Sequence, residues 1–74
     1  VVNFKSKIIE WAQKNGRDIK FDLIEEHELK GKRMYKMGLF LDTELIAEDI
    51  DYSKKRAEQK ASEIGCKKLG IHEV

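Results

Sequence analysis

Along the first fifteen residues, Phe4, Ile8, Trp11 and Ala12 recur at helical spacing while Lys5, Lys7, Glu10 and Lys14 fall elsewhere, which predicts an amphipathic helix from Asn3 to Lys14. Asn3 can cap its start, and Asn15-Gly16 offers a stop at which positive φ is accessible. From Ile19 the period drops to two. Ile19, Phe21 and Leu23 alternate with Lys20, Asp22 and Ile24, the pattern of a half-buried strand. A charged loop is predicted over "EEHELKGKR", residues 25–33. A second strand follows, with Tyr35, Met37, Leu39 and Leu41 on one face, and past a tight turn at Asp42-Thr43 a third carries Leu45 and Ala47. Helical spacing returns over residues 53–69, with Ala57, Ala61, Ile64, Cys66 and Leu69 turned inward.

The predicted order is therefore α-β-β-β-α. An antiparallel meander with one apolar face needs a cover, and two amphipathic helices lying side by side can supply it. The fold class expected is α+β: a two-layer sandwich in which a three-stranded antiparallel sheet carries both helices on one face. The 74 residues suffice for one small core, so residues 1–74 are read as a single domain. Val1-Val2 stands where an initiator methionine would, which predicts a domain cut from a longer chain.

Composition adds constraints. With 41% hydrophobic and 39% charged residues, and no apolar run near the ~18 residues of a membrane span, a soluble domain is expected and a membrane partner is not. The single cysteine, Cys66, can form no internal disulfide and belongs to no Cys/His zinc pattern, which points to a reducing compartment. Net charge is only +1, from 15 basic and 14 acidic residues, but the charges are segregated. Residues 42–52 hold five acids and no base, whereas residues 53–68 hold six bases and two acids. That segregation creates a local positive field able to select an anionic partner.

Catalytic material is sparse. His27 and His72 have no triad around them, no glycine-rich phosphate loop occurs, and the carboxylates are those expected of so charged a chain. "EEHE" at 25–28 resembles a metal cluster only on paper, because successive residues of an extended chain point to opposite sides. No catalytic or metal residue is assigned. The feature that needs explaining is Ser53 followed by Lys54, Lys55 and Arg56: a good N-cap, then three cations at the helix end where the dipole already places positive charge. Such a combination becomes favourable when phosphates lie against it.

With "SKKRAEQKAS" opening the last helix and "EWAQK" in the first, the chain resembles the double-stranded RNA-binding domain, most closely the copy at the C-terminus of bacterial ribonuclease III. The resemblance implies a three-point grip on an A-form duplex, reading shape and 2′-OH groups over ~16 base pairs. By position it implies phosphate contacts at Ser53, Lys54 and Lys55, and minor-groove contacts at Glu10 and Gln13. Backbone contacts are expected at Lys30, Lys32 and Arg33 of the second loop. Phe21 and Tyr35 match aromatic core positions.

The chain departs from the family at three places. Ile9 replaces a glutamine, and Ala47, Asp49 and Asp51 replace a glycine-rich approach, which is expected to crowd the phosphate side with negative charge. Glu28-Leu29-Lys30-Gly31 replaces "GPxH", so a minor-groove histidine is missing, and restoring Gly, Pro and His at positions 28, 29 and 31 is expected to tighten binding by roughly 1 kcal/mol.

The function implied is presentation of duplex RNA to a catalytic domain outside this chain. The parent would be a cytoplasmic, Mg²⁺-dependent endonuclease, a hydrolase dimerising through that catalytic domain. The present chain would be monomeric, cofactor-free and without cleavage activity. Two other readings stand beside it: a protein-interaction domain on the same fold that has lost RNA affinity, and the RNA-binding domain of a different RNA-processing protein.

Overall fold

Helix α1 (Phe4–Lys14) begins where the Asn3 side chain accepts the Ser6 amide at 3.2 Å, as capping chemistry requires. The computed structural model describes residues 3–71, and His72 lies outside the described residues. Beyond α1 the chain forms β1 (Ile19–Leu29), β2 (Lys32–Leu41), β3 (Glu44–Asp51) and α2 (Lys54–Leu69). The strands pair antiparallel in the order β1-β2-β3, which is the α+β meander expected. Helix α2 packs on β3 and β2, and α1 packs beside α2.

Ile8 and Leu39 are fully buried at the centre, surrounded by Ala47, Ala61 and Cys66. Removing each large side chain from water contributes roughly 1.5–3 kcal/mol. The small inward residues of α2, Ala57 and Ala61, let that helix lie close to the sheet, and Gly65 closer still. A Cβ on Gly65 would stand 2.5 Å from Leu39 Cδ2 and 2.9 Å from Ile8 Cδ1. Ile64 and Leu69 are half-buried flanks of this core. Helix α2 ends with Gly70 in the left-handed region at φ 70°, and the Gly70 and Ile71 amides donate back to Lys67 and Cys66 carbonyls. Burial raises the Cys66 thiol above its ordinary range; Lys7 opposes that and Glu63 adds to it.

The loop expected over residues 25–33 is instead strand. Residues 25–29 continue β1, and Leu29 pairs with Lys32, leaving only Lys30 and Gly31 in the turn. Both take positive φ, 52° and 79°, the pattern of a two-residue type I′ hairpin whose twist matches that of the strands. The period-two signal was hidden because Ile24 is an extra residue: pairing shifts between Leu23–Met37 and Glu25–Lys36, so a bulge reverses the faces. A second bulge at Ile46 does the same in β3. Histidine at position 31 would carry a side chain into a backbone region that glycine occupies at no steric cost. Proline at 29 would sit inside a paired strand. The Gly-Pro-His replacement is therefore not a repair of this hairpin, and the gain expected of it is withdrawn.

Beyond Tyr35, which pairs with Asp51, β3 ends and β1 and β2 continue alone as a projecting ribbon. Leu23, expected inward, is 40% exposed, on the strand that the helices touch least. At the other end, Asp42 takes φ 60° in the β2–β3 turn, accepts the Arg17 guanidinium at 2.7 Å and accepts the Asp18 amide. The Asp18 amide, then the Arg17 side chain, holds the Asp42 carboxyl below its ordinary range.

Candidate nucleic-acid interface

Ser53 initiates α2 in extended conformation, its hydroxyl oxygen accepting the Arg56 amide at 3.5 Å. That bond uses a lone pair and leaves the O–H available as a donor. The amides of the first turn have no helical acceptor, and no acidic residue lies in that turn. Lys54 and Lys55 are exposed and, among the described residues, form no ion pair. Ammonium groups, orphan amides and the positive end of the helix dipole thus meet at one solvent-facing edge, an arrangement suited to phosphate oxygens.

The neighbouring cations are engaged differently. Lys60 donates to the Ile50 carbonyl at 2.9 Å and lies 3.4 Å from Asp51 Oδ2 and 3.7 Å from Asp49 Oδ1. Arg56 lies 3.7 Å from Asp51 Oδ1. Asp49 and Asp51 are on the helix-facing side of β3, in register with Met37 and Tyr35, and Asp51 is only 8% exposed. The expectation that these aspartates crowd the phosphate side is therefore corrected: they lie beneath α2 and bind its own cations. Burial works against ionisation of Asp51, but the Tyr52 amide, Arg56 and Lys60 outweigh it and lower its pKa.

On α1, Glu10 and Gln13 are exposed and three residues apart, hence on one face. Ile9 is half-buried and packs against the core, so it presents little to that face. Beside the apolar packing of Ile8 on α2, polar contacts join the helices: Lys5 pairs with Glu58 at 2.9 Å and the Gln59 amide donates to Asn3 at 2.7 Å. Phe21 and Tyr35, expected as core aromatics, are each half-buried and each approached by a lysine. Lys5 Nζ is 5.2 Å from the Phe21 ring centroid and Lys54 Nζ is 5.3 Å from that of Tyr35.

Lys30 occupies the hairpin tip, with Lys32 and Arg33 beside it on the paired strand and not in a flexible loop. Glu28 lies on the ribbon, and Glu25 and Glu26 lie at its base, facing Lys36 and Tyr35 across the strands. Arg33 lies 3.8 Å from Glu26 and faces Glu28 in register. Arg33 is thus held near acids, while Lys30 and Lys32, among the described residues, form no ion pair. His27 meets Glu25 at 2.6 Å, whereas Glu26 and Glu28 fall at the alternate positions of the strand. Among the described residues no three metal-ligating side chains converge, and these groups do not fit a bound divalent ion. Sequence reasoning missed Tyr52, which is 53% exposed and lies under the Lys32 ammonium at 5.7 Å. Its place just before Ser53 was the sole signal.

The three groups do not form one pocket; they are three separate exposed features on α1, the hairpin and the start of α2. Comparison with known proteins finds that residues 4–69 match the family described as double-stranded RNA binding motif. The chain is 36% identical over 69 residues to Ribonuclease 3 of Bacteroides fragilis, covering 92% of this chain and 24% of that protein. It is 35% identical to Ribonuclease 3 of Bacteroides thetaiotaomicron over 92% of this chain and 22% of that protein. Ribonuclease 3 of Clostridium perfringens is 28% identical over 95% of this chain and 30% of its own length. The chain thus spans about a quarter of the length of these relatives.

Proposed function

The chain belongs to the double-stranded RNA binding motif family, and on that premise we propose that it grips A-form duplex RNA by shape through three separate elements. Residues 1–74 act as one RNA-binding domain of a longer, ribonuclease III-like protein. Ser53, Lys54 and Lys55 engage phosphates across the major groove, and Glu10 and Gln13 meet ribose 2′-OH groups in one minor groove. The hairpin tip, with Lys30, Lys32 and Arg33, reaches toward the next. The observation that carries this reading is the pair Lys54 and Lys55, exposed at a helix start and, among the described residues, without acidic partners, while Lys60 and Arg56 are held by Asp49 and Asp51.

The domain holds duplex substrate for a catalytic domain outside this chain. In the parent that domain supplies the Mg²⁺-dependent, endonucleolytic hydrolysis and the homodimer contact, in the cytoplasm. No helix of the described residues is long and apolar enough to cross a membrane. The rival reading, a protein-interaction domain without RNA affinity, draws on the acidic residues of β3 and on the altered segment at residues 28–31; Asp49 and Asp51 are occupied beneath α2, which removes the first of these grounds. The test is a titration of RNA duplex against DNA duplex of equal sequence. Tighter binding to RNA is expected, since B-form grooves misplace the 2′-OH and phosphate contacts. Equal affinity refutes shape reading.

A further inference from the structure

Beyond Asp51 the ribbon of β1 and β2 loses the support of β3, and a two-stranded ribbon alone holds its direction poorly. One contact described above spans this gap: Lys32, the first residue of β2, reaches the ring of Tyr52 at the junction of β3 and α2. Beside it Lys54, the first residue of α2, reaches back to Tyr35 on β2. The two pairs tie the ribbon to the helix start at two levels, Lys32 from beside the hairpin tip and Tyr35 at the ribbon base.

We infer that Tyr52 is a positioning residue for RNA, fixing the hairpin at a set distance from the first turn of α2 by holding Lys32 against its ring. The inference rests on the RNA-binding reading above and adds a residue to it. A grip that reads A-form geometry requires its groove contacts to stand at a fixed separation, since the spacing of the grooves is what distinguishes that duplex. The choice of an aromatic partner has a physical reason. A carboxylate at this place would hold Lys32 but cancel the charge phosphates seek, as Asp51 does for Lys60. An aromatic face attracts the ammonium through its quadrupole and leaves its charge in place. Tyr52 is more than half exposed, so the pair stands in the solvent a duplex would displace.

The experiment measures affinities of the whole chain for an RNA duplex and a DNA duplex of equal sequence, for wild type, Tyr52→Ala, Tyr52→Phe, Lys32→Ala and the double variant Tyr52→Ala/Lys32→Ala. Wild type is read first; absence of RNA preference there refutes the RNA-binding reading itself, and this inference with it. Given that preference, Tyr52→Ala should weaken RNA binding roughly two- to five-fold and lower the RNA-to-DNA ratio, the range of an exposed cation–π contact. Tyr52→Phe should behave as wild type. The double variant should be no weaker than Lys32→Ala, because Tyr52 acts through that lysine. A Tyr52→Phe variant as weak as Tyr52→Ala would assign the effect to the phenol hydroxyl and overturn the inference, as would additive losses or an unchanged ratio. In the RNA-free protein, the ring-current shift of the Lys32 ε-methylene protons should be present in Tyr52→Phe and lost in Tyr52→Ala; its absence from wild type also overturns the inference.

Discussion

Replacing Lys54 and Lys55 together by alanine removes two cations that, among the described residues, have no acidic partner. Each neutralised phosphate releases condensed counterion, contributing about 0.9 to the slope of log affinity against log salt, so losing two contacts should flatten that slope by about 1.8. Between 50 and 200 mM salt, log concentration changes by about 0.6, so wild-type affinity should fall roughly twelve-fold more than that of the variant. Lys54 also contacts the Tyr35 ring, and its loss removes about 0.5–1 kcal/mol of local stabilisation. Lys55→Ala alone avoids this complication and should flatten the slope by about 0.9. Lys60→Ala is the contrasting variant. Because Lys60 is bound to Ile50, Asp49 and Asp51, its removal should lower the unfolding midpoint while leaving the slope nearly unchanged. Fluorescence anisotropy at four or more salt concentrations reads the slopes directly. A wild-type slope retained by the double variant would show that the start of α2 never meets phosphate.

Other consequences are testable by standard means. Gly65→Ala adds a methyl group against buried Ile8 and Leu39; overpacking of about 1–3 kcal/mol exceeds the ~1 kcal/mol gain in helix propensity, so urea unfolding should show net destabilisation. The lowered carboxyl pKa of Asp51 stabilises the folded state above its ordinary value of 3.8, and that contribution is lost as pH falls through the lower folded value. Asp51→Asn should therefore lower stability at neutral pH and flatten the acid limb of thermal unfolding below that value; an unaltered limb would refute the pairing with Arg56 and Lys60. Purified chain with Mg²⁺ should leave duplex RNA intact, because two-metal cleavage needs converging carboxylates. Duplex cut at defined positions by purified chain would contradict this.

Much of the architecture was written in simple periodicities. The apolar spacing from Phe4 to Ala12 and from Ala57 to Cys66 marked both helices, and Asn3 and Ser53 marked their starts through capping chemistry. The hairpin was illegible because a bulge at Ile24 breaks alternation where charge density also rises, and charged residues facing one another across a ribbon read as loop. Asp49 and Asp51 share the parity of inward Ala47, but the cations they meet, Lys60 and Arg56, lie on α2, and no strand pattern reveals that pairing. The lysine pair was evident from sequence because its meaning is local to one helix end. Its setting was not: strand pairing and register bring Tyr35 to Lys54, and Lys32 to the neighbouring Tyr52. Gly65 likewise has no meaning in the helical spacing alone, and only the packing of Ile8 and Leu39 gives it a reason.

The most direct test of a three-element grip is a ¹⁵N-labelled titration of the chain with a ~16-base-pair RNA duplex, followed amide by amide in NMR spectra. The account predicts saturable shifts confined to the face of α1 carrying Glu10 and Gln13, the hairpin tip at residues 30–33, and residues 53–56, with much weaker shifts for the DNA duplex. Shifts that gather on the helix-free side of the sheet around Phe40, or that are the same for RNA and DNA, would contradict it.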